Sequence, residues 1–331
     1  MKNKLEYVWP VIGLAAVVFS FWLLFKELNA VSFRDIANSL GAIGGHQYAL
    51  AALSTLVAYA ALAGYDRIAL LHLGVKHISW TFIALCSFTT YALSHNIGAS
   101  VFSGAMVRYR AYSTKGLSAA EIAVLVALCS FTFGLGTILL GGLVLTFEPE
   151  VLGRLSDFLP DVLTNTTTAR LIGLALLGFV AIYVVGSILR FKPLVIRSFK
   201  IEYPRPEITG RQLVMAPMEL IGAAGIIYFA LPEVGNPGFF VVLAVFLASF
   251  SAALASHAPG GLGVFELIFL KAMPDIPAAQ VLAALLVFRL FYLLIPLAFS
   301  LVVVVLFERS RLAEVLRTRT AVVPPTIPPG M

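Results

Sequence analysis

Long apolar runs separated by short polar segments extend along the chain, and six of them are long enough to cross a bilayer as helices. A spanning helix needs about 20 mainly apolar residues. The first run follows Lys2 and Lys4 as in a signal peptide, but it is too long and lacks a small-residue cleavage site, so we interpret it as a retained helix. The six runs are residues 8–25, 48–71, 119–147, 171–189, 213–231 and 278–307.

Two further apolar stretches, residues 80–107 and 239–273, are interrupted by glycine or proline. A helix cannot continue through such residues without losing backbone hydrogen bonds. Within a bilayer, a broken backbone is tolerated only where it faces protein or a wet cavity. The pattern therefore predicts two re-entrant hairpins, in which the backbone breaks at Gly98, Pro259, Gly260, Gly261 and Gly263.

The composition excludes a soluble domain, a disordered chain and a disulfide scaffold. Of 331 residues, 60% are hydrophobic and 12% are charged, against roughly 45–50% and about 25% in soluble domains. The net charge of +6 is explained by basic loops, so no nucleic-acid partner is expected. Cys86 and Cys129 lie in apolar runs without metal-ligand spacing, and no cofactor is expected.

The distribution of basic residues predicts the orientation of the chain in its membrane. Residues 190–211 contain six Lys or Arg side chains, and four arginines follow residue 307, whereas Arg154 is the only basic residue in 148–168. Basic loops stay cytoplasmic. We therefore expect a multi-pass protein with both termini in the cytoplasm, the first hairpin open to the cytoplasm and the second open to the outside.

An internal repeat relates the two halves of the chain. Residues 87–95 resemble 249–257, and residues 119–122 resemble 278–281, at an offset of about 160 in both cases. Each half then reads as two helices, a hairpin and one long helix, and the charge pattern inverts one half relative to the other. Such inverted repeats are typical of secondary transporters, whose substrates bind near the midplane. The alternative is a duplicated helical scaffold without transport.

These patterns together predict an all-α polytopic membrane protein with six spanning helices and two re-entrant hairpins, or eight spanning elements if the hairpin limbs are counted. We expect four segments: the first repeat, an extracytoplasmic loop, the second repeat and a proline-rich cytoplasmic tail. Their boundaries are residues 1–148, 149–170, 171–308 and 309–331.

Ionisable side chains within apolar helices are costly and are functional candidates by default. We predict that Glu266 and Arg289 approach each other or share a lipid headgroup, with a purely structural ion pair as the alternative. Glu219, two residues after Pro217, is a functional candidate of similar importance. The full set of substrate-path candidates is Glu266, Arg289, Glu219, His95, His257, Arg110 and Asp66.

The remaining candidates have structural alternatives. His95 and His257 occupy equivalent breaks, where they can either bond exposed backbone groups or bind a proton or headgroup. Asp66 can snorkel to the interface. Arg110, like Arg108, can bind lipid phosphate or serve as a basic anchor. Free amides after Gly263, at the start of a half-helix, would suit an anion such as phosphate.

Residues 259–266, with the sequence Pro-Gly-Gly-Leu-Gly-Val-Phe-Glu, precede a last helix that contains Arg289 and Pro296. This combination resembles the lysylphosphatidylglycerol synthase transmembrane region family, and the likeness covers essentially the whole chain. In that family, the membrane region is associated with flipping aminoacylated phosphatidylglycerol between leaflets. The resemblance points to the following residues, the last two more weakly: Gly260, Gly261, Gly263, Glu266, Arg289, Asp66 and Arg110.

In the family's full-length members, a separate cytosolic domain makes the lipid. This chain stops soon after its last helix, so we expect that synthase domain, and aminoacyl transfer, to be absent. No soluble catalytic motif appears in the chain. The expected function is therefore a flippase-like carrier of a phospholipid or polyprenyl lipid, with membrane lipids as partners. The alternatives are an accessory subunit of a lipid-modifying enzyme and an intramembrane lipid transferase.

Overall fold

The structure is a computed structural model that describes residues 32–97, 100–191, 194–196, 199–201, 203–256 and 261–321. Its principal helices are α1 Phe33–Ala42, α2 Gly45–His72, α3 Trp80–Ile97, α4 Ser100–Tyr112, α5 Ala119–Phe147, α6 Thr166–Ile188, α7 Pro206–Ala230, α8 Phe239–Ser256, α9 Val264–Ala272, α10 Ala278–Phe288 and α11 Ile295–Ala321. Shorter elements are the 3₁₀ turns Ser113–Lys115 and Pro149–Leu155, the helix Asp161–Thr164, the strands β1 Leu194–Ile196 and β2 Phe199–Ile201, which pair antiparallel, and a π-helical segment, Arg289–Leu294.

The predicted fold class is confirmed: the chain is an all-α polytopic membrane protein, apart from the small β1–β2 hairpin. Six described helices are long and apolar enough to span a bilayer, namely α2, α5, α6, α7, α8 and the continuous stretch Ala278–Phe307. The predicted run 8–25 lies outside the described residues. Helix α8, predicted as a hairpin limb, is itself long enough to span, and α11 continues beyond the predicted boundary at residue 308 to Ala321.

Both interrupted stretches form pairs of helices that pack against each other, α3 with α4 and α8 with α9. The equivalent first limbs, α3 and α8, are both 18 residues long. The connections at 98–99 and 257–260, which include Gly98, His257, Pro259 and Gly260, lie outside the described residues. The two pairs are therefore helical hairpins, and their re-entrant depth in a bilayer stays a prediction.

The two hairpins open at opposite ends of α5. Before α3, His77 Nε2 lies 3.1 Å from the carbonyl oxygen of Lys115, which precedes the start of α5. After α9, Asp275 accepts a 2.8 Å hydrogen bond from Arg154, which follows the end of α5. The 29 residues of α5 measure about 44 Å along the axis, enough to cross a bilayer. The hairpins therefore have the opposed orientation expected of an inverted repeat.

Helices α2 and α7 pack closely against each other. A Cβ atom built at Gly222 would lie 2.8 Å from both the amide nitrogen of Ala58 and the carbonyl oxygen of Ser54. Glycine is required here because the two backbones approach too closely for any side chain. This pair joins the repeats, since α2 belongs to the first and α7 to the second.

Replacing Gly222 by alanine should destabilise the protein by about 1–3 kcal/mol, because the added methyl group meets rigid backbone. The matched control is Gly210→Ala on the same helix, where nothing lies within 4 Å of the built Cβ. That variant should gain roughly 0.5–1 kcal/mol from helix propensity. Thermal unfolding in detergent measures both, and equal shifts of the same sign would contradict the close packing.

Candidate functional site

The last long helix contains an irregularity that the apolar pattern did not predict. The sequence suggests one helix over residues 278–307, but the structure inserts the π-helical segment between α10 and α11. Pro296 has no N–H, so the carbonyl of Tyr292 lacks its helical donor. The Tyr59 hydroxyl donates to that carbonyl at 2.9 Å, and Asn96 Nδ2 donates to the next one, on Leu293, at 3.1 Å. Side chains from α2 and α3 thus satisfy the freed backbone.

Glu266 and Arg289 are in contact, as the sequence predicted. Arg289 Nε donates to Glu266 Oε1 at 2.6 Å, and its Nη2 forms an ion pair with the same oxygen. The second carboxylate oxygen accepts the amide of Gly263 at 2.8 Å and so caps the start of α9. The pair lies between the second hairpin and the π-helical segment.

Glu266 caps the amide of Gly263 from within the same helix. The anion site predicted at the amides after Gly263 stays a prediction. A capping glutamate three positions into a helix satisfies a donor that the helix itself leaves unpaired. An incoming phosphate would have to displace this carboxylate from Gly263 and from Arg289.

A second buried ion pair joins Asp66 of α2 to Arg108 of α4. Arg108 Nη2 donates to Asp66 Oδ1 at 2.6 Å, and Asp66 is fully buried. The Tyr112 hydroxyl donates to Asp66 Oδ2 at 2.9 Å, and the Cys129 thiol contacts Oδ1 at 3.4 Å. The guanidinium also lies 4.9 Å from the ring centroid of Tyr91. Asp66 is therefore held within the bundle and does not snorkel.

The arginine that completes this pair is Arg108, whereas the candidate chosen from the sequence was Arg110. Arg110 is exposed on α4, and its binding of a lipid phosphate stays a prediction. The signal that could have separated them is Gly104, because residues four apart share one helix face. A Cβ built at Gly104 would lie 2.9 Å from Ser94 Oγ, which marks that face as packed against α3.

Glu219 of α7 faces the π-helical segment rather than an arginine. It is 1% exposed, and its Oε1 accepts the hydroxyl of Tyr292 at 2.6 Å. Its Oε2 has no hydrogen-bond partner among the described residues. Tyr292 was not a sequence candidate, although an aromatic hydroxyl three residues after Arg289 shares a helix face with it.

His95 lies at the end of α3 and stacks on the ring of Tyr292, with centroids 5.2 Å apart and an interplanar angle of 20°. Its buried Nδ1 makes no hydrogen bond within the described part of the chain. The neighbouring Asn96 donates to the backbone carbonyls of Ala92 and Leu293. Both alternatives for His95, bonding of exposed backbone and binding of a proton or headgroup, stay predictions. His257, the predicted equivalent, lies outside the described residues.

The glycines at the second break that the structure describes have the expected geometry. Gly261 and Gly263 have φ angles of +66° and +83°, a region that favours glycine. A Cβ built at Gly261 would lie 2.7 Å from the Cβ of Ala253, so the chain passes close to α8 there. Gly98, Pro259 and Gly260 lie outside the described residues.

The tips of both hairpins converge on the π-helical segment. The end of α3 contacts it through His95 and Asn96, and the start of α9 contacts it through Glu266. We call the side chains around this segment the polar cluster: His95, Glu219, Glu266, Arg289 and Tyr292. A surface depression of about 460 Å³ lies beside the loop around Asp275, and none of its lining residues belongs to the polar cluster. Glu219 is 1% exposed, whereas the side chains of Glu266 and Arg289 are 10% and 14% exposed.

Comparison with known proteins places the chain among membrane proteins. The uncharacterized protein slr0712 of Synechocystis is 30% identical over 305 residues, which cover 89% of this chain and 90% of that protein. The chain belongs to the family of this Synechocystis protein. The inner membrane protein YbhN of Escherichia coli is 28% identical over 291 residues, covering 87% of this chain and 83% of YbhN. No family model matches the chain.

A third relative is larger. The phosphatidylglycerol lysyltransferase of Staphylococcus aureus is 23% identical over 313 residues, which cover 91% of this chain but 34% of that enzyme. The chain therefore corresponds to about a third of this relative. Six apolar helices and the relation to YbhN identify a multi-pass membrane protein and support an inner-membrane location.

Proposed function

We propose that this protein carries a lipid between the leaflets of the bacterial inner membrane, with the polar headgroup passing between the two hairpins. The observation that supports this most directly is the convergence of both hairpin tips on one irregular helix segment. Glu219, Glu266 and Arg289 meet there within apolar helices, and intramembrane charges of this kind commonly mark a substrate pathway.

The two buried arginines suit a lipid phosphate. The guanidinium groups of Arg289 and Arg108 each bind a carboxylate in the structure. A phosphate offers the same paired oxygen acceptors and could replace that carboxylate. In this proposal, the headgroup enters when a hairpin moves away from the π-helical segment. The acyl chains stay in the bilayer beside the apolar helix faces during this movement.

The comparisons support phosphatidylglycerol as the first lipid to test. The name of the Staphylococcus aureus relative specifies that lipid, and the matched third of that enzyme covers 91% of this chain. The orientation in this proposal has both termini in the cytoplasm, the hairpin α3–α4 open to the cytoplasm and the hairpin α8–α9 open to the outside. A lipid-modifying enzyme is a further proposed partner.

Reconstitution into vesicles tests the function directly. Purified protein is incorporated with fluorescent phosphatidylglycerol, and dithionite, which does not cross the bilayer, bleaches the outer leaflet. Vesicles without protein should lose only outer-leaflet fluorescence, whereas the protein should expose the inner-leaflet probe to the reagent. A fluorescent phosphatidylcholine probe, whose headgroup is zwitterionic, controls for selectivity.

Equal bleaching with and without protein, for both probes, would contradict the proposal. Mass spectrometry of the vesicle lipids separates it from the transferase alternative, because a carrier leaves the lipid chemically unchanged. Any new lipid species formed by the protein would favour the enzyme.

A further inference from the structure

Glu219 differs from the other buried carboxylates of the described residues, Asp66 and Glu266, because no cationic side chain there pairs with it. Asp66 pairs with Arg108, and Glu266 pairs with Arg289. Glu219 receives one hydrogen bond from Tyr292, and its second oxygen is buried without a partner in the described residues. An ionised carboxylate without a cation is costly in such surroundings, and a bound proton removes that cost.

The groups that face Glu219 are phenols. Tyr59 and Tyr65 of α2 lie within electrostatic range of the carboxylate, and Tyr292 reaches it from the π-helical segment. The Tyr59 and Tyr65 hydroxyls themselves donate to backbone carbonyls, those of Tyr292 and Ala216. Phenols donate hydrogen bonds, but they do not balance a full negative charge.

The other helices packed against α7 bring no charge to this position. Helices α8 and α10 contain no ionisable side chain. On α5, Cys129 contacts Asp66 and Glu121 caps the exposed start of the helix. On α6, Tyr183 bonds Gln212, and Arg170 is exposed. Among the described residues, no charged side chain on these helices compensates Glu219. Its charge therefore depends on whether the carboxyl group binds a proton.

Tyr292 links Glu219 to both hairpins. Its ring stacks on His95 of the first hairpin, and it lies three residues after Arg289, which binds Glu266 of the second. Its hydroxyl meets Glu219 at the same time. A change in the charge of Glu219 thus acts on a segment that both hairpin tips contact.

We propose that Glu219 is a proton-binding site that couples lipid movement to a proton gradient, an inference that rests on the proposed function. In the closed arrangement the side chain is a neutral carboxylic acid. When a hairpin opens, water reaches it and accepts the proton, which leaves a carboxylate. Uptake of a proton from the other side restores the acid and permits closure, so one proton crosses per cycle and no lipid bond forms or breaks.

The proton site itself is tested without lipid movement. Infrared difference spectra of the full-length protein in nanodiscs, recorded across a pH titration, report protonated carboxyl groups. We expect a titrating carboxylic-acid band that disappears in Glu219→Gln. The control Glu207→Gln removes an exposed carboxylate of the same helix, paired with Arg211, and should keep the band. An unchanged band in Glu219→Gln overturns the site.

Coupling is tested in vesicles with fluorescent phosphatidylglycerol and an imposed pH gradient. In the wild type, transfer should change by up to about tenfold per pH unit, because the proton occupancy of one site changes tenfold. The control Glu207→Gln should respond as the wild type does, and Glu219→Gln should lose the response. A wild type that transfers lipid without responding, or a Glu219→Gln variant that responds normally, overturns the coupling.

Two further outcomes separate a failure of the coupling from a failure of the proposed function. In the first, Glu219→Gln folds but transfers no lipid. The variant Glu219→Asp, which keeps a titratable carboxyl group, should then restore lipid transfer that responds to the gradient. Failure of Glu219→Asp to do so counts against the coupling. If the wild type transfers no lipid under any gradient, the proposed function fails, and with it the coupling, while the infrared titration still reports whether Glu219 binds the proton.

Discussion

Replacement of Arg108 by methionine is expected to destabilise the protein by about 3–5 kcal/mol, the cost of removing one partner of a buried ion pair. Methionine keeps much of the side-chain length, so the loss is mainly electrostatic. Asp66, which is fully buried, would retain only the weaker contacts of Tyr112 and Cys129. Thermal unfolding of the purified protein in detergent measures the effect.

The matched control is Arg110→Met, two residues further along the same helix and exposed. That substitution should change the stability by no more than about 0.5 kcal/mol. The double variant Asp66→Leu/Arg108→Met removes both charges and should recover much of the loss, because an apolar pair avoids the desolvation cost. Equal destabilisation by the Arg108 and Arg110 variants would show that the pair does not stabilise the bundle.

Arg289→Gln should lower phosphatidylglycerol transfer in vesicles at least about tenfold, since loss of 1.4 kcal/mol at the barrier already has that effect. The substitution removes the charge that holds Glu266, and it removes the guanidinium proposed to receive the lipid phosphate. Glutamine keeps the hydrogen-bonding character of the side chain. Transfer is normalised to the amount of protein that elutes as a folded species.

The control for this experiment is Arg154→Gln, which breaks the ion pair to Asp275 at the end of the second hairpin. Those side chains are 29% and 53% exposed, so the pair contributes little and transfer should stay near the wild-type rate. Arg289→Lys keeps the charge without the paired donors and should be intermediate. Wild-type transfer by a folded Arg289→Gln variant would remove Arg289 from the lipid path.

Hydrophobic patterning predicted most of the architecture because the bilayer imposes it. Runs of about 20 apolar residues must become helices that satisfy their own backbone. The predicted runs 48–71 and 213–231 correspond to α2 and α7, which start slightly earlier in the structure. The interrupted stretches likewise became two helical hairpins, since glycine and proline end helices through local backbone chemistry.

The hydrophobic pattern could not predict which side chains pair with the buried charges. Arg110 was the candidate chosen from the sequence, whereas Arg108 pairs with Asp66 in the structure. The two arginines differ only in which face of α4 they occupy, and the sequence does not show which face packs against the bundle. The pattern also missed Tyr292, which meets Glu219 only after α7 and the last helix come together. These contacts join residues 42 and 73 positions apart, and they depend on packing that no local pattern contains.

The sequence by itself determined the class of protein, the order of its apolar helices and the presence of costly charges in apolar segments, because these depend on composition and on local hydrogen bonding. Only the tertiary structure decided that a π-helical segment precedes Pro296 and which side chains bond its free carbonyls. It also decided that Glu266 and Asp66 pair with arginines, whereas Glu219 accepts a hydrogen bond from the phenol of Tyr292. The physical reason is that pairing energies depend on distance and burial, which arise only when separate helices pack together.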